Sequence, residues 1–96
     1  MSFGEALKAL SDKERREILE LLKKGKMSAG EISSHFDMTN ATISYHLSIL
    51  KKAGLVFEEK EKNFVYYQLN TTVLEEVMLW IKSLKEEDDN GKDQEE

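Results

Sequence analysis

The chain has 96 residues, no proline, no cysteine and a 40% hydrophobic share, which allows one small core and excludes a disulfide framework and thiolate metal sites. Its formal charge of −5 argues against nucleic acid only until its distribution is read: residues 86–96, EEDDNGKDQEE, hold seven acids and one lysine, leaving 13 bases against 12 acids elsewhere. No apolar run approaches the roughly 20 residues of a membrane-spanning helix, and MSFGEALKAL lacks the apolar stretch of a leader, so a soluble cytoplasmic protein is expected.

Taken in chain order, Phe3, Ala6, Leu7 and Leu10 recur at helical spacing after a capping-box pattern, Ser2 to Glu5. The same Ser/Thr-x-x-Glu pattern stands at Ser11–Glu14 before Ile18, Leu19, Leu21 and Leu22, at Ser28–Glu31 before Ile32 and Phe36, and at Thr72–Glu75 before the last apolar run. Lys23-Lys24-Gly25-Lys26 closes the second helix. Only Asp37 and Met38 separate Phe36 from Thr39, which predicts a sharp helix-turn-helix junction with Thr39 as N-cap of a helix over 40–52, stopped by Ala53-Gly54. From Leu55 the period falls to two, VFEEKEKNFVYYQL, predicting a β-hairpin over 56–69 whose charged tip takes its positive φ at Asn63. The expected fold is mostly α with a β-hairpin wing, a winged helix-turn-helix in the order α-α-α-α-β-β-α. One domain is expected over 1–85, with 86–96 a disordered acidic tail that has no apolar residue to bury.

Thr39–Leu50, TNATISYHLSIL, is crowded with residues that are mediocre in helix interiors. At about 100° per residue, Ile43, Leu47 and Leu50 share an arc of roughly 60° that docks on a core, and Ala41, Tyr45, Ser48 and Lys52 lie opposite. A helix entering the major groove needs short polar side chains there. The N-terminal part of the second helix of such a pair meets base edges, which favours Asn40, Ala41, Ser44 and Tyr45 as readers, with the Thr42 methyl against a thymine. Phosphate contacts are expected at the helix start, Thr39, and at Lys51, Lys52 and the wing residues Lys60, Lys62 and Asn63. A capped surface helix with serines facing water is the bland alternative, and the hairpin that follows disfavours it.

TNATISYHLSILKKAGLV resembles the recognition-helix signature of ArsR-type bacterial repressors at Ser44, Tyr45, His46 and Leu47; LSDKERREILELL and FVYYQLN resemble their second helix and second wing strand. The likeness covers about residues 3–84 and falls nearest an SdpR-like autorepressor branch without metal ligands. It implies a homodimer, joined through the first and last helices, that binds a palindromic double-stranded operator and blocks transcription, its own operon included, and it suggests release through a membrane protein encoded in the same operon. Lys13 departs from the proline of many members, leaving the helix start to Ser11 and Asp12.

The last helix supports the dimer independently. Its apolar residues sweep about 160°, wider than the roughly 100° needed to cover one core, so Val73, Val77, Trp80, Ile81 and Leu84 are expected to form the interface together with Phe3, Leu7 and Leu10. Neither a Cys-x-Cys before the recognition helix nor a histidine in the last helix is present. His35 and His46 lie on different helices with no obvious third ligand, so no metal or other cofactor is expected and a metal-responsive repressor is disfavoured. His46 is expected to be hydrogen-bonded and partly buried. No nucleophile with an adjacent base is discernible, hence no enzyme and no small-molecule substrate. The alternative of another class is a winged-helix protein-interaction adaptor that does not bind DNA.

Overall fold

The computed structural model describes residues 3–86. They form α1 (Phe3–Leu10), α2 (Lys13–Leu22), β1 (Met27–Ser28), α3 (Ala29–Ser33), α4 (Asn40–Lys52), β2 (Val56–Glu61), β3 (Phe64–Leu69) and α5 (Thr71–Glu86). The winged helix-turn-helix order is therefore as expected, with one addition. β1 is a two-residue strand that pairs antiparallel with β3, Met27 opposite Tyr67 and Ser28 opposite Tyr66, giving a three-stranded sheet in the order β1-β3-β2.

The helix boundaries follow local chemistry. Ser28 and Glu31 form the expected reciprocal box, the Glu31 amide donating to Ser28 Oγ at 3.1 Å and the Ser28 amide to Glu31 Oε1 at 2.8 Å. Two other expected boxes are not made. Asp12, not Ser11, caps α2, accepting the Arg15 amide at 3.0 Å, while Ser11 Oγ donates to Lys8 O of the preceding turn. Asn70 Oδ1 accepts the Thr72 amide at 3.2 Å, so Thr72 stands inside α5 rather than at its cap. The fourth expected box begins at Ser2, outside the described residues. Glu86 closes α5 and does not begin a tail; the rest of the acidic stretch, 87–96, also lies outside the described residues. The helix-turn-helix link is longer than two residues because α3 ends at Ser33, leaving 34–39 to turn the chain.

Gly54, at φ +78°, lets the backbone leave α4 for the wing with the Leu55 amide bonded back to Leu50 O at 2.9 Å. β2 and β3 run in register from Val56 opposite Leu69 to Glu61 opposite Phe64, so Lys62-Asn63 is a two-residue turn. The positive φ, +57°, falls on Lys62 and not on the expected Asn63. The core joins all five helices and the root of the wing: Ala6, Ala9, Ile18, Leu22, Ile32, Ile43, Leu47, Leu50, Leu55, Val56 and Val73 are all but sealed from solvent. Burying each larger aliphatic side chain contributes about 1.5–3 kcal/mol. Because Ile43, Leu47 and Leu50 of α4 and Ala53 and Leu55 at its exit all lie in this core, the orientation of that helix is set by packing.

Candidate nucleic-acid interface

Thr39 caps α4: its Oγ1 accepts the Thr42 amide at 3.1 Å and donates to Thr42 Oγ1 at 3.0 Å. Beyond the cap the helix has two unlike rows. Ile43, His46, Leu47 and Leu50 are buried; Asn40, Ala41, Ser44, Tyr45 and Ser48 are exposed, Tyr45 to 61%. The four favoured base readers therefore stand together on the open side. Thr42 differs from them: it is half-buried and its hydroxyl is engaged by the cap. Asn40 Oδ1 accepts Ser33 Oγ at 2.8 Å, which ties α3 to the start of α4. An amide group in that position keeps a second lone pair and both N–H donors, the set that a bidentate contact to adenine uses.

His46 is fixed from two sides. Arg15 Nη1 lies 3.4 Å from Nδ1 and Glu14 Oε1 lies 3.2 Å from Nε2. A guanidinium can only donate, so Nδ1 is the acceptor and the proton sits on Nε2, directed at Glu14. The expected hydrogen-bonded histidine is found, and it is buried rather than partly buried, at 5% exposure.

The expectation that His46 lacks companion ligands is corrected. Asp12, Glu14 and His46 bring one potential ligand atom each within 4.8 Å of one another. Their chemistry does not suit a cation. Nε2 carries the proton rather than a free lone pair, the Asp12 carboxylate is committed to the Arg15 amide, and the Arg15 guanidinium adjoins the imidazole. That commitment, the hydrogen bond from the Arg15 amide above all, holds the Asp12 carboxyl below its ordinary pKa. The cluster is a strut between α2 and α4.

The wing raises an electrostatic question, since β2 carries Glu58, Glu59 and Glu61. Each has a cationic partner. Lys51 Nζ meets Glu58 Oε1 at 2.9 Å, and Lys26, from the α2–β1 turn, bonds Glu61 and lies 3.6 Å from Glu59. Lys26 also stands 5.4 Å from the centre of the Tyr66 ring. The hydrogen bond from Lys51 is the main reason that the Glu58 carboxyl is held below its usual range, and the Tyr67 hydroxyl, 3.2 Å from Oε2, adds to it. Burial, followed by the charge on Glu58, pushes the Tyr67 phenol up. With the three carboxylates so engaged, Lys60, Lys62 and Asn63 are exposed at the tip. Of the expected phosphate ligands, Lys51 is exposed but paired with Glu58, and Lys52 Nζ lies 3.8 Å from Glu5.

The expected dimer surface divides. Val73 and Val77 are buried within the chain's own core and have no surface left for a partner, which corrects their assignment to the interface. Leu7, Trp80, Ile81 and Leu84 are exposed, as is Met78, while Leu10 and Phe3 are half-buried. Phe3 packs edge-on against Trp80 with ring centres 5.4 Å apart, joining α1 and α5 into one apolar surface. No helix among the described residues is long and apolar enough to cross a membrane.

The profile of the bacterial regulatory proteins of the arsR family matches residues 12–57. The transcriptional repressor SdpR of Bacillus subtilis (strain 168) is 46% identical over 83 residues, 86% of this chain and 92% of that protein. The arsenical resistance operon repressor of Staphylococcus aureus is 39% identical over 72 residues, 75% of this chain and 69% of that protein. Among solved structures, the homodimeric winged helix-turn-helix DNA-binding domain of a possible ArsR-family regulator from Mycobacterium bovis superposes with a TM-score of 0.70 at 25% identity, over 94% of this chain and 85% of the other.

Proposed function

The chain belongs to the ArsR family of bacterial regulatory proteins, and from that premise we propose that it represses transcription as a homodimer on a palindromic operator, reading bases with Asn40, Ala41, Ser44 and Tyr45. Its relatives regulate transcription, and it is not an enzyme. The observation that carries the reading is the split of α4 into a buried row and an exposed small-polar row. The buried row fixes the helix, so the exposed row can be offered to a groove without loosening the core. Thr39, Lys60, Lys62 and Asn63 would hold phosphate, and Phe3, Leu7, Leu10, Trp80, Ile81 and Leu84, with Met78 added, would meet their symmetry mates.

Such a repressor works where bacterial DNA lies, in the cytoplasm. We extend the proposal to control of its own operon and to release by a membrane protein encoded there, as the resemblance to SdpR-like autorepressors implies. Selecting bound duplexes from random DNA tests the central claim. Enrichment of a palindrome with half-sites about one helical turn apart is expected; recovery of no preferred sequence overturns it.

A further inference from the structure

We propose that Arg15 is a positioning residue that transmits the placement of the dimerisation helix α1 to the recognition helix α4, and so sets the spacing of the two recognition helices on DNA. This rests on the reading of α1 and α5 as the dimer interface. The last carbonyls of a helix have no partner within it, and they form its negative end. In α1 two of them accept from one guanidinium: Arg15 Nε donates to Ala9 O at 2.9 Å, and Nη2 to Lys8 O at 3.3 Å, a carbonyl it shares with the Ser11 hydroxyl. The remaining edge of the same plane reaches His46 Nδ1 on α4 at 3.4 Å.

Arg15 and His46 are both buried, where a hydrogen bond left unmade costs most. Because the guanidinium is a rigid fork, three donors of one plane cannot follow a rotation of α1 against α4 by turning about a single bond. A lysine has one point of charge and cannot span the three acceptors. One residue before Lys8 stands Leu7, on the exposed apolar surface; one residue before His46 stands Tyr45, on the reading row. The two surfaces of the repressor are thus each one residue removed from a single planar group. A buried cation is not needed to fill a core, since apolar residues of similar volume pack there at least as well.

The test uses three duplexes derived from the selected palindrome: the palindrome, the same with one base pair inserted at its centre, and an isolated half-site. The wild-type chain should prefer the native spacing by about tenfold or more. Arg15→Lys should lose most of that preference while its half-site affinity stays within about twofold, with dimer mass unchanged. His46→Asn, which keeps an acceptor near the place of Nδ1, should retain the spacing preference, and His46→Leu should lose it. If Arg15→Lys does not fold, the His46 pair decides the matter. Spacing preference retained in both Arg15→Lys and His46→Leu, or half-site affinity falling in step with palindrome affinity, overturns the proposal. A wild-type chain that is monomeric or selects no palindrome overturns the dimeric-repressor reading, and this inference with it.

Discussion

Lys51 Nζ stands 2.9 Å from Glu58 Oε1, so the C-terminal turn of α4 is joined to the wing by an ion pair. Glu58→Gln should release Lys51. The expected outcome is tighter binding to any duplex at low salt and a salt dependence steeper by roughly one phosphate contact, about 0.9 in the log–log slope. An anisotropy titration across salt concentrations with an unchanged slope would show that Lys51 stays out of reach of phosphate.

The reading row makes a different demand. Ser44→Ala and Tyr45→Ala should each weaken binding to the selected operator by about 1–3 kcal/mol and relax preference at particular positions, with little change on unrelated DNA. The comparison needs both duplexes at one salt concentration. Equal losses on the two would place these side chains outside base reading.

Lys62 separates stability from binding. It holds φ +57°, a conformation strained for a side-chain-bearing residue, at the exposed tip of the wing. Lys62→Gly should raise thermal stability by up to about 1 kcal/mol, because glycine adopts that conformation without steric penalty. The same change should weaken binding to all duplexes alike, since a phosphate contact carries no sequence information. Calorimetry and binding data that move in the same direction would contradict one half of this assignment.

Asp12 gives a pH dependence whose sign follows from its lowered pKa. A carboxyl with a folded pKa below its unfolded value contributes stability that is present above the unfolded pKa and lost as pH falls through the folded one. Denaturant midpoints should therefore drop for the wild type as pH falls below about 4, and Asp12→Asn, which still caps, should show a shallower drop. Asp12→Ala should cost about 1 kcal/mol at neutral pH. Parallel acid profiles for wild type and Asp12→Asn would remove Asp12 from the account.

Two positions on α5 should behave oppositely. Ile81→Glu, on the exposed apolar surface, should yield a folded monomer that has lost high-affinity operator binding. Val77→Ala, in the core, should leave the dimer intact and destabilise it by on the order of 1–3 kcal/mol. Sedimentation paired with thermal melts distinguishes the two, and a dimeric Ile81→Glu chain would place the interface elsewhere.

What could be read from the residues alone was local or periodic. The bounds of α4 followed from Thr39 and Gly54, its buried row from a 3.6 period, and the hairpin from the change to a period of two. β1 escaped because two residues carry no period; only the pairing of Met27 with Tyr67 makes it a strand. The α2 cap was misplaced by one residue because Ser11 and Asp12 are both competent, and the bond from Ser11 Oγ back to Lys8 O, at the end of α1, decides between them. The apolar arc of α5 was visible, but a hydrophobic pattern does not state which part faces its own core, so Val73 and Val77 were joined to the interface. The Arg15–His46 contact spans 31 residues, and neither side chain announces the other.

The division of α4 also bears on how such a regulator can diverge. Ile43, Leu47 and Leu50 answer to the core, whereas Asn40, Ala41, Ser44 and Tyr45 have little part in it. On the proposed reading of these four as base readers, the outward set could be exchanged after a gene duplication with small effect on foldability, and one copy would acquire a new operator while the other kept the old. Residues that look like poor choices for a helix are, on a lineage's timescale, the ones most open to change.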